Sequence, residues 1–128
     1  MHTFIDERSH IYNVDNKIGE GSIIASGAIL TTGAEIGKSS IININSTFGH
    51  DSKAGDFFTA APGVNISGDC KIGDRVYFAP GSVAKNGVSI CDDVVIGMNS
   101  VVNKNITEPG IYVGTPCVKI KNNISLHM

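Results

Sequence analysis

Every sixth residue from Ile18 to Val102 is apolar, in the series Ile18, Ile24, Leu30, Ile36, Ile42, Phe48, Ala54, Ala60, Ile66, Ile72, Phe78, Ala84, Ile90, Ile96 and Val102. Three residues after each comes a second series, running from Gly21 and Gly27 through Asn45, Asp51 and Asp69 to Asn105. Twelve of its fifteen members are Gly, Asn or Asp, the types that tolerate positive φ at tight turns. One residue further on, small or β-branched types dominate, as at Ser22, Ala34, Ser52, Val64, Val76 and Ser100. An amphipathic helix needs a period near 3.6, so a period of six with a turn former in every unit predicts short strands joined by corners. The chain reads as a β-solenoid.

Gly19, Gly37, Gly55 and Gly73 stand eighteen apart, so three hexads make one coil. Stacked coils are parallel strands ~4.8 Å apart, which places residue n beside n−18 and n+18. Layer volumes agree: Phe48 shares its layer with Ala54 and Ala60, and Phe78 is followed by Ala84. Phe58 interrupts the run of small residues and is expected to fill core between Ser40 and Val76. The reading is one all-β domain over 1–128. It divides into an irregular first coil at 1–17, in which Tyr12 keeps the frame, hexapeptide repeats at 18–105, and a C-terminal cap and tail at 106–128. About five to six coils result. A loop at Thr107 to Gly110 precedes a last strand expected to cover the open edge, and the residues from Asn122 are expected to fray.

Composition narrows the function. A chain of 128 residues can bury roughly two-thirds of its unfolded surface in one core. Ten Lys and Arg against twelve Asp and Glu give a net charge of −2 with no basic stripe, which disfavours nucleic acid and anionic membrane as partners. Neither a signal peptide nor a run of ~18 apolar residues is visible, and Cys70, Cys91 and Cys117 follow no metal or disulfide spacing. A cytoplasmic setting with reduced thiols is expected.

The hexads "KIGEGS", "EIGKSS", "KIGDRV" and "VIGMNS" resemble those of the hexapeptide-repeat acyltransferases. Within that superfamily, "GHDSKAGDFFTAAPGVNISGDCKIGD" followed by "YVGTPCVKI" is similar to bacterial sialic-acid O-acetyltransferases and UDP-amino-sugar N-acetyltransferases. The resemblance implies a left-handed parallel β-helix and a homotrimer with active sites at subunit interfaces. It further implies acetyl-CoA as co-substrate and a sugar or nucleotide-sugar acceptor. Relatives generally carry an N-terminal nucleotide-sugar domain, and nothing in this sequence matches one. In the resembled enzymes the acetyl-CoA contacts fall on positions that match Thr59, Pro80 and Met98. Many relatives have a second histidine at the Thr59 position, where threonine offers only a hydroxyl. Pro80 and Met98, eighteen apart with Pro62 one coil before, form an apolar ridge along which a pantetheine arm can lie.

His50 lies two residues past core Phe48, at a corner, so its imidazole is expected to point away from the core. By steps of eighteen its column is Thr32, His50, Gly68, Asn86 and Lys104. Gly68 beside it is expected to leave a gap through which a thioester approaches the ring, with the Gly68 amide donating to the carbonyl oxygen. An imidazole suits the removal of a proton from the acceptor, which makes His50 the candidate general base. The resemblance makes Asp51 the acid that raises its basicity, provided adjacent residues can reach the Nδ1 contact. Lys104, three coils away or ~14 Å, competes with Lys119 and Lys121 for a CoA phosphate. No metal is expected, because only His50 lies inside the coils and a zinc hydrase of this architecture needs three histidines. The alternatives are a non-catalytic trimeric scaffold, a serine-acetyltransferase-like enzyme for a small molecule, and a cysteine acyl-enzyme.

Overall fold

The computed structural model describes residues 1–12 and 15–122, and they build six coils of a parallel β-helix. Almost every hexad contributes a two-residue strand whose second residue points inward. The strands stack into three sheets. The first sheet runs from Phe4–Ile5 through Ile41–Ile42, Thr59–Ala60 and Tyr77–Phe78 to the C-terminal strands. The second includes Ile29–Leu30, Thr47–Phe48 and Asn65–Ile66, and the third includes Lys17–Ile18, Glu35–Ile36 and Lys53–Ala54. Neighbouring coils pair eighteen residues apart, as in Thr47↔Asn65 and Lys53↔Lys71. All predicted turn positions from Gly21 to Asn99 have positive φ, even where the residue is Ser39, Phe57 or Arg75. The coil geometry overrides residue preference there.

Two inward series make the core. The apolar series is buried from Ile24 to Val102, and the small series lies inside as well, including six buried serines. Each of these polar groups needs a partner in so dry a place. Ser52 shows how it is met: its hydroxyl donates to the Ser67 carbonyl at 2.7 Å and accepts the Cys70 amide at 3.0 Å. Phe58 packs edge-on against Phe48 and Phe78, with centroids 6.0 and 6.1 Å apart, so it is core filling as expected.

Both ends depart from the simple reading. In the first coil Phe4 pairs with Ile23 and His10 with Ile29, nineteen residues on, whereas Lys17 pairs with Glu35, eighteen on. One extra residue therefore falls between Ile11 and Lys17. Ile11, and not Tyr12, takes the inward position opposite Leu30, and Tyr12 is left exposed. At the other end Ile106 bridges to Ile90, and Gly110–Gly114 adds to the first sheet in parallel. The cap is then a hairpin and not one strand: Cys117–Lys121 turns back antiparallel. The fraying expected from Asn122 falls, apart from Asn122 itself, on residues outside those described.

The outer faces differ in chemistry. The third sheet presents Lys17, Glu35, Lys53 and Lys71, while the first presents Phe4, Ile23, Ile41 and Tyr77 in an apolar stripe. No helix of the described residues is long and apolar enough to cross a membrane.

Candidate active site

His50 sits on the corner between the strand Thr47–Phe48 of the second sheet and Lys53–Ala54 of the third. The corner hugs the coil above it. A Cβ on Gly49 would lie 2.6 Å from the Gly68 nitrogen and 2.7 Å from the Ser67 oxygen, so only glycine permits this approach. Three further bonds lock the coils together: the His50 carbonyl accepts the Asp69 amide at 2.8 Å, and Ser52 holds Ser67 and Cys70. Gly68 is clamped directly beside the histidine.

The imidazole lies over that glycine. A Cβ on Gly68 would meet Nε2 first, then Cδ2 at 2.6 Å and Cε1 at 2.7 Å, and Gly68 itself is buried. The vacancy expected from the sequence is thus filled by the ring, and the glycine makes room for the imidazole itself. Among the described residues the Gly68 amide has no protein acceptor.

His50 Nδ1 is 3.2 Å from Asp51 Oδ2, which answers whether adjacent residues can make this contact. Asp51 has φ of 57°, and this left-handed turn brings its carboxylate back toward the ring. Both side chains are more than half exposed. With Nδ1 held by the carboxylate, the other nitrogen is left to act on a ligand. Asp69, one coil on in the Asp51 column, joins them: its carboxylate, that of Asp51 and a ring nitrogen of His50 lie within 4.8 Å of one another. Sequence reasoning missed Asp69, although one step of eighteen from Asp51 points to it.

The remaining candidates stand elsewhere on the chain. Thr59 faces outward from the first sheet, between Ile41 and Tyr77. Pro80 and Met98 are exposed at the corner from the first sheet to the second, one corner away from His50. Lys104 falls where the eighteen-residue register is lost, between Val102 opposite Ala84 and Ile106 opposite Ile90, and among the described residues it makes no ion pair, whereas Lys119 is bonded to Glu108 at 3.1 Å. The thiol of Cys70 is buried and bonded to the Lys85 carbonyl at 3.3 Å, and burial pushes its pKa up. The Cys91 thiol is pushed up by the same cause. Neither cysteine has the low-pKa setting of an acyl-enzyme nucleophile.

The coil matches known proteins over almost its whole length. A variant of perosamine N-acetyltransferase from Caulobacter crescentus, in complex with CoA and GDP-perosamine, superposes with a TM-score of 0.91 at 22% identity over 94% of this chain and 57% of that one. WeeI from Acinetobacter baumannii AYE superposes with a TM-score of 0.86 at 32% identity over 90% of this chain and 56% of that one. In sequence, GDP-perosamine N-acetyltransferase of Escherichia coli O157:H7 is 39% identical over 71 residues, which are 56% of this chain and 32% of the relative. The proteins it resembles are hexapeptide-repeat acyltransferases. Its fold is their left-handed parallel β-helix. No protein-family model matches the chain. It spans about a third of the length of that curated relative and a little over half of the two solved ones.

Proposed function

We propose that this chain transfers an acetyl group from acetyl-CoA to an amine or hydroxyl of a nucleotide-linked sugar, with His50 as general base. The observation that carries this reading is the Nδ1 to Asp51 contact at 3.2 Å on a corner otherwise open to solvent. As the acceptor nitrogen or oxygen attacks the thioester carbonyl, Nε2 takes its proton. The tetrahedral intermediate collapses, the C–S bond breaks, and the imidazolium returns the proton to the departing thiolate. The charged imidazolium is stabilised by Asp51, with Asp69 adding negative charge nearby. The Gly68 amide, without a protein acceptor among the described residues, is assigned to the developing oxyanion.

Pro62, Pro80 and Met98 are assigned to the pantetheine arm, Thr59 to the acetyl end and Lys104 to a phosphate. The relatives named for GDP-perosamine support a sugar-nucleotide acceptor. In one protomer His50 and the Pro80 ridge occupy different corners, so we assign the complete site to the junction of two copies in a homotrimer. The exposed stripe of Phe4, Ile23 and Tyr77, with Phe57 protruding at a strained φ of 57°, is the surface that supports such an assembly. The expected cytoplasmic setting supplies acetyl-CoA. The test is His50→Ala: acetyl-CoA should still raise the melting temperature, while thiol release with GDP-perosamine as acceptor should disappear. Full turnover by that variant rules out the mechanism.

A further inference from the structure

The corner at His50 carries more charge than a turn requires. Asp51 and Asp69 occupy the same left-handed turn position on successive coils, each with φ of 57°. Glycine serves that purpose on either side of them in the column, at Gly33 and Gly87. Among the turn formers from Gly21 to Asn105, this is the one place where carboxylates follow each other from coil to coil. Histidine stands beside them: both carboxylates and a ring nitrogen of His50 lie within 4.8 Å of one another. Among the described residues neither acid makes an ion pair with a lysine or arginine.

The three donors meet the demands of a small divalent ion. Their backbones are fixed by the stacking of the coils, with the Asp51 amide on the Thr32 carbonyl at 2.9 Å and the Asp69 amide on the His50 carbonyl at 2.8 Å. Their side chains are all exposed and can adjust. Zinc binds imidazole nitrogen and carboxylate oxygen at about 2.0–2.2 Å, so two of its ligand atoms stand roughly 3.4 Å apart in a tetrahedron. His50 Nδ1 and Asp51 Oδ2 are already 3.2 Å apart. A divalent cation also relieves the repulsion between the two carboxylates. The imidazole selects the ion, because magnesium takes oxygen ligands and holds its waters, whereas first-row transition ions accept nitrogen.

We propose that His50, Asp51 and Asp69 form a binding site for zinc or a similar first-row divalent ion, and that the ion competes with acetyl transfer. A neutral imidazole has one lone pair and one N–H. Whichever nitrogen takes the metal, that lone pair is engaged and the ring accepts no proton from an acceptor. Asp51 is drawn to the ion as well and no longer serves Nδ1. The ion takes no part in the chemistry; it holds the site inactive until a chelator removes it. Its effect on turnover rests on the acetyl-transfer reading, whereas its binding does not.

The experiment titrates zinc into chelator-treated protein by calorimetry, with magnesium as control, and follows the His50 ring resonances by NMR. One zinc should bind per chain and shift the His50 ring, and magnesium should do neither. His50→Ala and Asp69→Asn should each weaken binding at least about tenfold, the loss that even supporting groups cause at metal sites. With GDP-perosamine as acceptor and loss of acetyl-CoA as the readout, zinc should abolish turnover and a chelator should restore it. The turnover left in Asp69→Asn should need at least about tenfold more zinc for half inhibition. Zinc bound at His50 in a protein that shows no turnover even when metal-free would leave the metal site standing and remove the acetyltransferase reading. Unchanged affinity in His50→Ala or Asp69→Asn, an equal response to magnesium, or undiminished turnover with zinc bound would overturn the proposal.

Discussion

Replacing Gly68 by alanine should separate the catalytic geometry from the fold. The backbone at Gly68 lies outside the left-handed region, so alanine is not strained there. The new Cβ would sit 2.6 Å from Cδ2 of His50, and closer still to Nε2, where ordinary contact begins at 3.4 Å. The ring must therefore withdraw by 3.4 − 2.6 = 0.8 Å at Cδ2 and by more at Nε2. Such a swing is easy for a side chain that is 57% exposed, so the cost to stability should be small although Gly68 itself is buried. It also draws Nδ1 away from a contact that is already 3.2 Å long. A displacement of about 1 Å at a reacting group costs roughly 10²-fold in rate. Gly49→Ala is the natural control, because its Cβ would strike the backbone of Ser67 and Gly68, which cannot yield cheaply. Thiol release from acetyl-CoA and thermal melting should be recorded for both variants. Gly68→Ala should lose about 10²-fold in turnover at an unchanged melting temperature, and Gly49→Ala should melt well below the parent. Wild-type turnover by Gly68→Ala, or its unfolding, would refute the reasoning that the glycine exists to seat the ring.

Phe58→Ala removes the ring that joins Phe48 to Phe78 and should cost about 3–5 kcal/mol, read by urea denaturation. The Arg75 guanidinium bonded to Asp93 holds that carboxyl below its ordinary pKa. The stability it contributes is present above the unfolded value of about 3.9 and is lost as pH falls through the lower folded value. The small melting-temperature gap between the parent and Arg75→Gln should therefore persist at neutral pH and close in strong acid. Tyr77→Glu places a charge in the apolar stripe assigned to the proposed homotrimer and should give monomer in sedimentation, where the parent should sediment as a trimer with a melting temperature that varies with protein concentration.

The fold was readable because two independent series, one apolar and one of turn formers, kept step over five coils. Structure added what a period cannot contain. A single extra residue between Ile11 and Lys17 shifts the first coil by one, and nothing in "IYNVDNK" signals which of Ile11 and Tyr12 goes inside. The closing hairpin follows no hexad, so Cys117–Lys121 could be read as a strand but not as an antiparallel one. At the site, the stacking rule correctly put Gly68 beside His50. It is blind to rotamers, however, and so a space occupied by the imidazole was read as open. That Asp69 joins His50 and Asp51 was missed because it takes two columns at once.

The eighteen-residue pairing also limits how such a chain can diverge. An insertion or deletion of any other length at a buried corner would put every later column out of step, moving core residues outward and turn formers into strands. The first coil accommodates its extra residue where, among the described residues, only one neighbouring coil has to be matched. Heritable change in length is therefore restricted to duplication or loss of whole coils. His50 and Gly68 stand one such unit apart, so loss of residues 51–68 would keep the fold in register yet bring Asn86 beside His50 and dismantle the site.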